Sequence, residues 1–118
     1  MTNLLAFYKK AELPHLRATV YFCDLSKLKG VEHKGSAYTT VFGENEDLWL
    51  EIAVFIKDIA ENTKNINATP QFAHEITHVL EYLCENRNMS IDNESEHLAF
   101  IMSYLMETLL DCLPDEPK

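Results

Sequence analysis

His74, Glu75 and His78 are the residues of this 118-residue chain whose types and spacing best fit a chemical task. Histidines four apart on a helix stand one turn above each other, so both imidazoles can reach a single ion. Glu75 is rotated by about 100° from His74. It cannot easily bind the same ion, but it can reach a water held there, as a general base should. The run His74-Glu75-Ile76-Thr77-His78 therefore predicts zinc on two imidazoles, with a glutamate placed to take a proton. A catalytic zinc keeps three protein ligands and one open position, so a third donor is required. Glu94, Glu96 and His97 stand 16, 18 and 19 residues past His78. Glu96 is the choice, because on a helix it shares a side with Ala99, Phe100 and Ser103, and a small alanine one turn on permits close approach of two helices. Its plainer role is a capping box with Asn93. His97 is the substitute ligand, and Glu94 reads as a solvated charge favouring the helix dipole.

A helix must hold the first three side chains. Thr69-Pro70 offers an N-cap hydroxyl before a proline suited to the first helical position. Phe72, Ile76, Val79, Leu80 and Leu83 then recur at helical spacing until Asn86-Arg87-Asn88, which predicts a helix over 70–85. Asp92 or Asn93 starts a second helix, with Leu98, Ile101, Met102, Leu105 and Leu109 as a largely buried series that Pro114 stops. Residues 18–23 and 38–42 are rich in β-branched and aromatic types, and 48–56 is an apolar run between polar clusters. The first two read as strands, and the third as a strand with a helix as its alternative. Residues 3–12 fit a short amphipathic helix or an irregular arm. Strands first and helices later make an α+β arrangement.

The bulk properties bound the partners. One domain over 1–118, with its core at about 18–113, is expected from 118 residues with 47% hydrophobic content. Nineteen acidic against ten basic residues give a net charge of −9, which disfavours nucleic acid and anionic membranes. The opening residues carry no basic, apolar leader, and the tracts 48–56 and 98–110 are too short or too polar to span a bilayer, so a soluble, cytoplasmic protein is expected. Cys23, Cys84 and Cys112 are an odd number without a paired spacing and read as buried free thiols.

The pairing of His-Glu-x-x-His with a glutamate 18 residues later resembles the gluzincin metallopeptidases. The small size resembles the minimal His-Glu-x-x-His proteins of phages and prophages. Within those, Glu96-His97-Leu98-Ala99-Phe100 is similar to a Glu-x-x-Ala-Tyr/Phe pattern opening the helix after the active-site helix. The resemblance covers about residues 18–106. It implies a three-stranded twisted sheet above two helices in a zincin-like fold, with His74, His78 and Glu96 as zinc ligands and Glu75 as base. It further implies a peptide or protein substrate, bound along the strand at 48–56 by β-augmentation. Two departures stand out. Phe100 replaces the aspartate that orients a ligand histidine in thermolysin-like members, so that partner must come from elsewhere. Those larger enzymes also supply the oxyanion donor from a domain this chain is too short to contain; Tyr38, Tyr82, Tyr104, His97 and His33 are the candidates here. Trp49 reads as core or cleft wall, and His15 and His33 as exposed. The acidic tail at 111–116 reads as a solvated end, unless a carboxylate or Cys112 folds back on the zinc and holds it latent. The rival expectation is a zinc-binding interaction protein without proteolysis, and the plainest is an α+β domain without metal.

Overall fold

The computed structural model describes residues 7–27, 37–44 and 47–110. Their strands are β1 (Phe7–Leu13), β2 (Ala18–Asp24), β3 (Ala37–Glu44) and β4 (Leu50–Ile56). The helices are α1 (Ile59–Asn62), α2 (Thr69–Asn86) and α3 (Ile91–Leu110), with 3-10 turns at Pro14–Leu16, Leu25–Lys27 and Ile66–Ala68. The α+β expectation holds. Among the described residues the sheet has four strands in the order β1-β2-β4-β3, against the three expected. The additional strand is β1, which falls where a helix or an arm was expected. Ala11 and Leu13 face the core while Lys10 and Glu12 face out, and a half-polar edge strand of this kind shows only weak alternation.

β2 and β4 are the parallel centre of a mixed sheet, in register from Ala18↔Leu50 to Asp24↔Ile56. β1 pairs antiparallel with β2, and β3 antiparallel with β4. The β3 register shifts between Val41 and Gly43, where Gly43 takes φ 108, a left-handed value that a bulge at glycine accommodates. β4 is hydrogen-bonded along both edges, so it has no edge left for a peptide. The expectation that 48–56 receives the substrate is thereby corrected, and among the described residues β3 is the outermost strand on that side of the sheet.

Side chains alternate across the pleat. Val20, Phe22, Ile52, Val54 and Ile56 face the helices and pack on Phe72, Ile76, Val79 and Leu83 of α2 and Leu98, Ile101, Leu105 and Leu109 of α3. Each such buried side chain contributes about 1.5–3 kcal/mol, and this layer fixes which face of each helix looks outward. Only one stripe of α3 is buried; Phe100 is 71% exposed, so the expectation of a largely buried helix is corrected. α2 also begins differently. Ala68 is its N-cap without a side-chain bond and Thr69 is already helical, because the 3-10 turn before it runs straight into the helix. No helix among the described residues is long and apolar enough to cross a membrane.

The opposite sheet face carries a smaller cluster of Cys23, Leu25, Ala53 and Phe55, with Tyr21 and Tyr38 against it. Cys23 is fully buried and Cys84 half-buried, both free; Cys112 lies outside the described residues. Burial pushes the Cys23 thiol up to about 12. A folded-state value raised in this way means that the unfolded chain loses the proton first. The associated stability is full below about pH 9 and is lost as pH rises toward about 12. Urea midpoints measured from pH 8 upward should therefore decline less steeply in Cys23→Ala than in the native chain, whatever the offset from the lost side-chain volume.

Candidate metal centre

α2 sets its buried stripe against the sheet, and this rotation turns His74 and His78 to the outer side. His74 is exposed and His78 half-exposed. Their Nε2 atoms stand 3.2 Å apart, with ring centroids 4.8 Å apart and planes near perpendicular at 86°. Two nitrogens at about 2.05 Å from a tetrahedral ion are ~3.3 Å apart, so the pair has the spacing that zinc requires of two imidazoles.

The outer nitrogen of His78 is also fixed. Its Nδ1 lies 2.8 Å from Glu81 Oε1, and an ionised carboxylate can only accept, so Nδ1 carries the hydrogen and Nε2 keeps its lone pair for a ligand. A carboxylate behind a ligand histidine sets its tautomer and orientation. Glu81 holds His78 in this way from the same helix, three residues on. Its i,i+3 spacing from His78 was readable and was passed over. Glu81→Gln should weaken zinc binding by about 10–100-fold, measured by competition with a zinc chelator, with little change in the helical signal.

Glu75 takes a different direction. It is 6% exposed, at the margin between α2 and β3. Thr39 Oγ1 donates to Glu75 Oε1 at 2.7 Å and lies 3.2 Å from the main-chain carbonyl of the same residue. Thr39 faces the helices because its register partner Val54 does. This contact joins the motif to β3, and nothing local in the sequence announces it.

Glu96 is exposed on α3, two positions before the buried Leu98, and so points away from the core. Of the neighbours expected on its side, Ala99 lines a groove with Thr77, Leu80 and Glu81 of α2, while Phe100 and Ser103 are exposed. Among the described residues no group of three potential ligands forms. His97 instead meets His15, Nε2 to Nε2 at 2.8 Å. Glu94 lies near Cys84, whose thiol is raised by burial and secondarily by the Glu94 charge.

The proposed oxyanion donors are dispersed. Tyr38 stacks on Phe55, on the sheet face away from α2. Tyr104 donates to the Glu12 carbonyl at 3.3 Å. Tyr82 packs against the core cluster. His33 and the acidic tail at 111–116 lie outside the described residues. Trp49 precedes β4 and donates its indole hydrogen to Thr19 Oγ1 at 2.7 Å, which makes it part of the sheet wall.

Set beside known proteins, the chain matches no family model, no curated protein and no solved structure.

Proposed function

We propose that this protein is a zinc-dependent peptidase in which His74 and His78 hold the metal, Glu96 is the third ligand and Glu75 is the general base. The observation that carries the reading is the convergence of two imidazole Nε2 atoms 3.2 Å apart, with Glu81 fixing the tautomer of one of them. Bound zinc supplies Lewis acidity, lowering the pKa of the attacking water and polarising the scissile carbonyl. Glu75 takes the proton of that water and returns it to the leaving amine. Thr39 ties Glu75 to β3, the outermost of the described strands, and an extended peptide that pairs along β3 by β-augmentation is led past Glu75. The role of Glu96 rests on its spacing and on the gluzincin resemblance alone.

Metal analysis and a peptide library test the reading together. About one zinc per chain, lost in His74→Ala, with cleavage that disappears with it, supports the proposal. A chain that retains no zinc removes it.

One observation favours the rival, a zinc-binding interaction protein: the Glu75 carboxylate already has a donor in Thr39, within the fold. Zinc at one per chain without cleavage of any library peptide decides for that reading.

A further inference from the structure

A second histidine pair lies outside the site above, and the fold rather than helix spacing creates it. His15, in the turn between β1 and β2, and His97, near the start of α3, are 82 positions apart, yet their Nε2 atoms are 2.8 Å apart. The rings are tilted by 39° with centroids 4.9 Å apart. His15 is exposed and His97 half-exposed. A hydrogen bond between two imidazoles in contact with water gains little over bonds to water itself, so the convergence is of more use to a ligand than to stability. The Glu94 carboxylate stands 3.7 Å from Nδ1 of His97, on the side away from His15. Its charge favours a hydrogen on Nδ1 and leaves Nε2 with its lone pair, the role that Glu81 has for His78. The pair opens on a hollow of about 350 Å³ that Glu12 and Tyr104 also line.

We propose that His15 and His97 form a second transition-metal site that binds a divalent ion of the nickel and copper class through both Nε2 atoms. Water completes the ion's coordination, since among the described residues no third histidine, cysteine or carboxylate joins the pair. Two imidazoles without a thiolate suit borderline ions, whereas magnesium and calcium demand oxygen ligands. Spacing separates the two sites. Nitrogens at about 2.05 Å from an ion are ~2.9 Å apart at a right angle and ~3.3 Å apart at the tetrahedral angle. The 2.8 Å of His15–His97 fits adjacent corners of a tetragonal ion, and the 3.2 Å of His74–His78 fits tetrahedral zinc. The net charge of −9 raises the local concentration of any divalent cation. When filled, the site clamps the β1–β2 turn to α3 next to Glu94, where the helix is kinked (φ −117, ψ 21).

The test uses the full chain carrying His74→Gln and His78→Gln, so that only the second pair remains. Titrated with Ni²⁺ and followed by calorimetry and thermal melting, it binds one equivalent and melts at a higher temperature, and excess Mg²⁺ changes neither. Adding His15→Ala, or separately His97→Ala, removes the equivalent and the thermal shift. Both positions are at the surface, and an unchanged metal-free melting point certifies the fold of each variant. Absence of a Ni²⁺ equivalent overturns the proposal, as does an equivalent that survives His15→Ala. Zinc binding by the native chain, tested in His15→Ala, reports on His74–His78 alone, so either site can fail without the other.

Discussion

Replacing Glu75 with Gln should lower peptide hydrolysis by about 10²–10⁴-fold, the usual worth of a positioned general base, while zinc stays at one per chain. The two side chains have the same shape, and the amide oxygen of Gln can accept the hydrogen bond that Thr39 now donates to Glu75 at 2.7 Å. Stability should therefore hold or rise slightly, because a side chain only 6% exposed no longer carries a charge into the protein. Holding metal and stability constant is what makes the comparison informative: the loss then belongs to proton transfer. Steady-state kinetics on a cleaved library peptide, with metal analysis of the same preparation, make the measurement. Cleavage at the native rate in Glu75→Gln would sink the mechanism.

What the sequence made legible was local. Strands β2 and β3 and helix α2 fall within two residues of their expected limits, because β-branched runs and the 3.6-residue period are written within single segments. The His74–His78 pair was legible for the same reason, since four residues along a helix are one turn. The missed features depend on segments far apart in the chain. Thr39 reaches Glu75 only because β3 lies against α2, and His15 meets His97 only because β1 brings its turn beside α3. The central place of β4 likewise depends on which strands pair with it, and an apolar run looks the same at the centre of a sheet and at its edge. Glu96 shows how far local reading reaches: the helix around it formed as expected, and its rotation was set by Leu98, Ile101, Leu105 and Leu109, which turn Glu96 outward.

Arg87→Ala should cost about 1–3 kcal/mol, the range for leaving hydrogen-bonded polar groups without their partner. Arg87 is the C-cap residue of α2, and the fold gives it more to hold. Its Nε donates to the Leu16 carbonyl at 2.6 Å, and one terminal nitrogen, Nη2, donates to the carbonyls of both Arg17 at 2.9 Å and Leu48 at 2.8 Å. A third branch reaches the Glu44 carboxylate at 2.5 Å and the Asn86 carbonyl at 3.1 Å. One guanidinium thus joins the end of α2 to the β1–β2 turn, the end of β3 and the approach to β4. Arg17 and Leu48 both have left-handed backbones, φ 52 and φ 62, which cost of order 1–3 kcal/mol each unless the surroundings hold them. Arg87 binds the carbonyl of each, so its loss releases both turns as well as Glu44. Lysine keeps the charge but offers one nitrogen in place of a planar fork, so Arg87→Lys should recover less than half of the loss. Urea unfolding of the three proteins at one pH measures this, with the midpoint falling and the slope unchanged. A change below about 1 kcal/mol, the usual ceiling for an exposed ion pair, would mean that these bonds are replaced by water without penalty and that packing alone holds the turns.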